Sequence, residues 1–473
     1  MNAAAEHSAP VTVTAPASKS LSHRYCIAAA LADGVSTLRH VLDSADLART
    51  RGILEAVGAR LTRQTAGDGE DCWQVTGIGR APQGGQGKPL SCNVGESGTT
   101  CRLLTAVLAA GHGLFRIHGE GRMHQRPLGE LCQSLTALGA GVIYEGEALC
   151  PPLLLQAGGL DPQLCHGVTS IGMDNSSQYF SGLLLAAPFA SSPLTIELSG
   201  SKAVSWPYVG LTLHCMEDFG IQFTVQTRPR PDAPWQELPG GAWRGLAEAR
   251  PGCLRVRVSP GSYRPGDFRV EGDWSAASYL LAAGVLGKRP VRVAGLRSDS
   301  LQGDRALLDI LLRMGARVEM EADAVTVWPS QLHGVSLDMG ACPDLVPTVA
   351  VLAAFASGST RISNVAHLRL KESDRIEAPA TELAKLGVTL DQLSDGLLIS
   401  GTGGLAEQGH GKWHAPHLPE GVQLSAHNDH RMAMSLALLE LRDPGLHVRQ
   451  RLDDPAVVSK SFPAFWDVWE QIL

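Results

Sequence analysis

No apolar run in the 473-residue chain comes near the roughly 18 residues needed to cross a membrane, and the nearest approach, residues 183–190, is broken by Pro188. A membrane partner is therefore not expected. A basic surplus is missing as well, since 47 acidic residues face 40 lysines and arginines for a net charge of −7. That excludes nucleic-acid binding through a general basic surface, so any anionic ligand must be met by a local cluster of cations. The 10 cysteines form no CxxC pair and no regular spacing, which points to reduced, buried thiols in the cytoplasm. MNAAAEHSAP has neither a basic start nor an apolar segment, so no secretory signal is expected. No GxxxxGK[ST] or Gly-rich dinucleotide fingerprint follows a strand, which leaves ATP and NAD without support. His410, His414 and His417 have ligand-like spacing, but HGKWHAPH carries Gly and Pro and no acidic partner, so no metal site is expected.

What is present is a core-forming composition, 44% hydrophobic, with 52 glycines and 28 prolines marking many turns. The length favours two or three domains. The chain also repeats itself. Phrases such as DLARTRGILEAVGARL and ALLDILLRMGARVEM place a glycine at Gly58, Gly139, Gly220, Gly315 and Gly387, at intervals of 81, 81, 95 and 72 residues. In the first copy Leu47, Thr50, Leu54, Val57 and Leu61 step by three and four along one helical face. The glycine suits a left-handed helix end, with a strand to follow.

Upstream of these lies a second phrase, an Ala/Leu-rich helix followed by a short β-branched strand. SHRYCIAAALADGVSTLRHV, WSAASYLLAAGVLGKRPVRVAG and HRMAMSLALLELRDPGLHVRQ are three of its six copies. A helix apolar on all faces is buried. Six copies predict six α/β units, three on each side of the Pro/Gly-rich insertion at residues 227–252. The expected division is one domain of residues 1–16 plus 270–473 and another of residues 17–269, with the N-terminal strand serving the C-terminal half.

Polar groups interrupt the apolar pattern at the helix starts, where N–H groups favour anions. They are Ser18-Lys19-Ser20 through Ser22-His23-Arg24, Glu96-Ser97-Gly98-Thr99, Asn175-Ser176-Ser177-Gln178, Glu271-Gly272-Asp273, Pro343-Asp344 and Asn428-Asp429-His430-Arg431. Helix capping accounts for some Ser, Thr, Asp and Asn. It does not call for Lys19, Arg24 or Arg431, which read as ligand-binding cations. Arg122, Arg126, Lys371 and Arg375 add basic groups in loops, and Glu372 sits among them as a carboxylate suited to proton transfer. Of His427 and His430, one is read as a ligand-site histidine and one as structural.

Taken in order, SKSxSxR, SGTTxR, RMxxRP, SSQ, KESDR and NDHRMAM make the chain resemble the enolpyruvyl transferases, and within them the 5-enolpyruvylshikimate-3-phosphate synthase family. The resemblance implies an α/β fold of two similar domains, each of three βαβαββ units around buried parallel helices, an inside-out α/β barrel. It implies transfer of the enolpyruvyl group of phosphoenolpyruvate to the 5-hydroxyl of shikimate 3-phosphate, without metal or organic cofactor, by a monomer.

Residue by residue, Lys19, Gly98, Thr99, Arg126, Gln178, Arg375, Arg431 and Lys460 look like phosphoenolpyruvate ligands. Lys19, Ser20, Arg24, Ser176, Ser177, Gln178, Ser205, Tyr208, Asp344, His367 and Lys371 look like shikimate-phosphate ligands. Asp344 resembles the acceptor of the attacking hydroxyl's proton and Glu372 the group handling the proton at the methylene carbon, with Lys19 also catalytic. The sequence departs from the family pattern at Glu96 and His367, where Asn is common, at Leu103, where proline is frequent, and at Trp206, where lysine is frequent. The sister transferase acting on UDP-N-acetylglucosamine usually carries a cysteine before the Arg-Pro pair, and GEGRMHQRP has none. A non-catalytic anion binder is the other rival, and phosphate release with both substrates separates it from an enzyme.

Overall fold

The computed structural model describes residues 9–65, 69–246, 248–403, 418–443 and 445–473. The chain divides into two compact units, residues 17–270 and residues 1–16 with 271–473. Val270 falls in the first of these, one residue past the expected boundary, because its N–H donates to the Arg39 carbonyl at 3.0 Å.

Residues 17–270 carry the helices α1 (Lys19–Leu31), α2 (Ala45–Ala56), α3 (Gly98–Ala109), α4 (Gly129–Ala137), α5 (Gln178–Ala186) and α6 (Trp206–Asp218). The Ala/Leu-rich helices α1, α3 and α5 are almost wholly buried, as their all-round apolarity demands. Helix α2 is amphipathic and buries Leu47, Thr50, Ile53 and Leu54. Leu61 lies beyond it on the strand Arg60–Thr65, so the expected helical face stops at Val57. Gly58 makes that stop possible, with φ of 110°, and the equivalent glycines Gly139, Gly220, Gly315 and Gly387 all have positive φ.

Three open sheets accompany these helices, and the same pairing recurs in each. In the first, Asp267–Arg269 runs parallel to Val35–Arg39, which is antiparallel to Asp71–Thr76, and that strand is antiparallel to Arg60–Thr65. In the second, Leu90–Asn93 is parallel to His112–His118, followed by two antiparallel pairings. The third follows the same scheme and gains an extra edge, Gln236–Glu237, from the 227–252 insertion. Most of that insertion is exposed, while its Trp243 is buried.

The other unit contains α7 (Trp274–Leu286), α8 (Leu307–Arg313), α9 (Val346–Ala354), α10 (Glu377–Ala384) and α11 (His430–Ala437). Every residue of α7, α9 and α11 is buried. Val11–Thr14 joins this unit by parallel pairing with Val291–Ala294. A second sheet has the order Ser336–Asp338, Ser359–Ser363, Gly396–Ser400, Thr389–Leu393.

Among the described residues there are five sheets, each of them open, with edge strands two to six residues long. One expectation needs correction: the sixth phrase lacks its strand. Val448–Arg451 is helical, and a single bridge between Leu424 and Leu452 stands in its place. There the Arg451 N–H donates to the His447 carbonyl at 3.2 Å and the Leu452 N–H to the Val448 carbonyl at 3.0 Å, so the backbone groups a strand would offer a neighbour are used within a helical turn.

Candidate active site

In the 17–270 unit, Ser18 caps α1 and leaves Lys19 to form an ion pair with Asp46. One turn on, Arg24 is 1% exposed. Four of its N–H groups reach protein oxygens. Nε donates to Thr212 Oγ1 at 2.8 Å, Nη1 to the Ser20 carbonyl at 2.7 Å, and Nη2 to the Tyr208 carbonyl at 2.9 Å and Ser181 Oγ at 3.4 Å. Burial draws the Arg24 guanidinium down to about 10. Arg24 thus brings Ser20 and Tyr208 together through their carbonyls.

A second group forms where α3 begins. A methyl at Gly98 would overlap Arg126 Nη2 and come within 2.7 Å of Arg102 Nη1, so two guanidiniums crowd this glycine. Arg126 Nη1 donates to the Glu96 carbonyl at 3.1 Å. Arg102 Nη1 donates to Gln178 Oε1 at 3.1 Å, and Gln178 Nε2 donates to Thr99 Oγ1 at 2.9 Å. Ser176 Oγ accepts the Gln178 N–H at 3.2 Å. Ser177 and Ser205 occupy N-cap positions yet make no side-chain cap bond, and Ser205 holds a left-handed φ of 57°. Capping does not explain those two hydroxyls.

In the other unit the site is built on carboxylates. Arg375, 2% exposed, donates to three of them. Nε and Nη2 fork onto Asp429 at 2.7 and 3.1 Å, Nη1 reaches Asp344 Oδ1 at 2.9 Å, and Nη2 reaches Glu372 Oε2 at 2.9 Å. Arg431 Nη2 donates to Asp344 Oδ2 at 2.6 Å. Burial works against the Asp344 charge, but Arg431, Arg375 and Lys371 hold its carboxyl well below the usual carboxylate range. The three carboxylates raise Arg375 despite its burial. Asp344 lies in the turn Pro343–Leu345 before α9, and its two oxygens accept from the two arginines. Asp429 caps α11 by accepting the Arg431 N–H at 2.9 Å.

Lys460 Nζ donates to the carbonyl and side-chain oxygen of Asn428 at 3.0 and 3.1 Å, beside Asp429. His367 is buried in the turn Ala366–Leu370. His427 Nε2 lies 2.8 Å from the buried Glu382, while His430 is buried at the start of α11. His410, His414 and His417 fall outside the described residues; among the described residues no cluster of metal-ligating side chains occurs. No helix among the described residues is long and apolar enough to cross a membrane.

Sequence reasoning assigned no role to Arg102, Asp46 or Asp429. Arg102 ends the SGTTxR motif and Asp429 sits inside NDHRMAM, so their places in the motifs were the available signal. Asp46 had none, because its partner Lys19 lies on another helix. Leu103 is fully buried, and Trp206 Nε1 donates to the Leu246 carbonyl at 3.1 Å, so both departures are accommodated in packing.

The family described as EPSP synthase (3-phosphoshikimate 1-carboxyvinyltransferase) matches residues 6–242 and 248–469. A 3-phosphoshikimate 1-carboxyvinyltransferase of Marinomonas sp. (strain MWYL1) is 34% identical over 457 residues, covering 97% of this chain and 95% of the relative. One from Thiobacillus denitrificans is 36% identical over 465 residues, covering 98% and 96%. Among solved structures, EPSP synthase from Acinetobacter baumannii has the same fold at a TM-score of 0.67 and 22% identity, covering 98% of this chain and 95% of that one.

Proposed function

Because the chain belongs to the EPSP synthase (3-phosphoshikimate 1-carboxyvinyltransferase) family, we propose roles for its clustered residues in that family's reaction. The reaction transfers the enolpyruvyl group of phosphoenolpyruvate to the 5-hydroxyl of shikimate 3-phosphate and releases phosphate, in the shikimate pathway leading to chorismate and the aromatic amino acids. Residues 17–270 and residues 1–16 with 271–473 are proposed to be its two domains.

Shikimate 3-phosphate is read as the ligand of Lys19, Ser20, Arg24, Ser176, Ser177, Gln178, Ser205, Tyr208, Asp344, His367 and Lys371. Arg24 positions its neighbours as much as it binds, since most of its donors are committed to protein. Phosphoenolpyruvate is read as the ligand of Lys19, Gly98, Thr99, Arg126, Gln178, Arg375, Arg431 and Lys460. The convergence of Arg102 and Arg126 on Gly98 supports an anion pocket there, because only a residue without a side chain leaves room beside two guanidiniums.

The observation that carries the catalytic reading is the Asp344 carboxylate bonded to Arg375 and Arg431. Held this way it is a weak base. When an anion takes over these two cations, their hold on Asp344 relaxes and its pKa rises toward a value useful for accepting a proton. Asp344 then receives the hydroxyl proton as the oxygen bonds to C2 of phosphoenolpyruvate, and Glu372 supplies a proton to the methylene carbon. Loss of phosphate from the tetrahedral adduct, with a proton returned from the methyl group, restores the enolpyruvyl double bond. The surrounding cations stabilise the negative charge of that adduct. A monomeric, cytoplasmic enzyme is part of the same proposal, and sedimentation of the purified protein tests the first point.

The deciding experiment incubates purified protein with phosphoenolpyruvate and shikimate 3-phosphate. Phosphate should appear only when both are present. Release with UDP-N-acetylglucosamine in place of shikimate 3-phosphate would overturn the substrate reading.

A further inference from the structure

Four polar side chains, all fully buried, form a line through the helices α1, α2 and α3. His23 Nδ1 on α1 lies 2.8 Å from Thr50 Oγ1 on α2, and Thr50 Oγ1 lies 2.8 Å from Thr100 Oγ1 on α3. Thr100 Oγ1 donates to Ser97 Oγ at 2.7 Å, and Ser97 Oγ also accepts the Thr100 N–H at 3.2 Å as the cap of α3.

Counting protons gives the line a direction. Thr100 has one hydroxyl proton, shared between Ser97 Oγ and the Asp46 carbonyl and not given to Thr50, so Thr50 donates to Thr100 and His23 Nδ1–H donates to Thr50. The ring is then the Nδ1–H tautomer, with Nε2 a buried acceptor that has no hydrogen-bond partner among the described residues. Burial, reinforced by the charges of Lys19, Arg24 and Arg51, keeps this ring neutral.

A plain core would place apolar side chains here, since each buried polar group is costly unless bonded. The line ends at Ser97, immediately before Gly98 and Thr99. A second tie runs beside it, because Asp46 pairs with Lys19 while its carbonyl accepts a weaker bond from Thr100 Oγ1 at 3.3 Å.

We propose that His23 is a positioning residue that sets the 97–99 turn, through Thr50 and Thr100, relative to the helix carrying Lys19 and Arg24. The inference rests on reading Gly98 and Thr99 as phosphoenolpyruvate ligands. His23 touches no substrate; it donates the first hydrogen bond of the line.

A mutant cycle tests it. Thr50→Val keeps the shape and removes the hydroxyl, His23→Leu removes the donor, and His23→Asn keeps an N–H at the position of Nδ1. Each of the first two should raise KM for phosphoenolpyruvate about three- to tenfold, the equivalent of one net hydrogen bond. Turnover should stay unchanged, the double variant should be no worse than either single one, and His23→Asn should behave nearly as the parent. If His23→Leu does not fold, the cycle between Thr50→Val and Thr100→Val carries the test. A coupled effect confined to KM for shikimate 3-phosphate supports the positioning line and removes the ligand reading beneath it. Additive effects, or a lower melting temperature with both KM values unchanged, overturn the proposal.

Discussion

Gly98 and Arg126 are in such close contact that any side chain at position 98 would occupy the place of the guanidinium Nη2. The obstacle is the far end of a flexible side chain, so Gly98→Ala should fold and melt close to the parent. The displaced guanidiniums should instead raise KM for phosphoenolpyruvate, by about tenfold if one charge-assisted bond is lost. Steady-state kinetics and a melting curve on the same preparation check both halves.

Asp344→Asn preserves shape and some hydrogen bonding but removes the base. Turnover should drop by about 10²–10⁴-fold, with phosphoenolpyruvate affinity little altered. Arg375 remains compensated by Asp429 and Glu372, so the fold should persist. Turnover close to that of the parent would sink the proton-acceptor role and leave the family assignment standing.

The pH dependence of stability follows from the same carboxylate. Its pKa is lowered in the folded state from an ordinary 3.8, so its contribution is present above that value and is lost as pH falls through the lower, folded one. Urea unfolding between pH 3 and 7 should show a shallower acid decline for Asp344→Asn. Some decline should remain, because Asp374, Glu382 and Asp453 are shifted in the same direction.

Arg24→Lys tests whether geometry or charge matters at the centre of the first group. A lysine keeps the charge but has three donors on a point-like ammonium and cannot reproduce the planar fork. It should lower stability by about 1–3 kcal/mol and weaken shikimate 3-phosphate binding, measured by denaturant unfolding and calorimetric titration. Full retention of binding in Arg24→Lys would mean that only the charge is used.

Local pattern carried much of the fold. Apolar periodicity identified the buried helices, because a helix without a polar face has nowhere else to go, and the recurring glycines marked helix ends, because only a residue without Cβ takes those φ values cheaply. The same pattern misjudged Val448–Arg451, where the alternation of Leu446 and Val448 with polar residues imitated a strand while the backbone closed into a helical turn. Motif spacing brought Lys371, Glu372 and Arg375 into one segment, and Asp429 and Arg431 into another.

The sequence by itself therefore determined the repeating units, the buried helices and the inventory of charged groups at their starts. Only the tertiary structure decided which of those charges meet. Arg375 and Asp429 are 54 residues apart and Arg431 and Asp344 are 87 apart, yet both pairs are within 3 Å. Periodicity acts over a few residues and has no term for such distances. The partnership of His23, Thr50 and Thr100 was hidden for the same reason, since a hydrogen bond depends on tenths of an ångström that are set only when three separate helices pack.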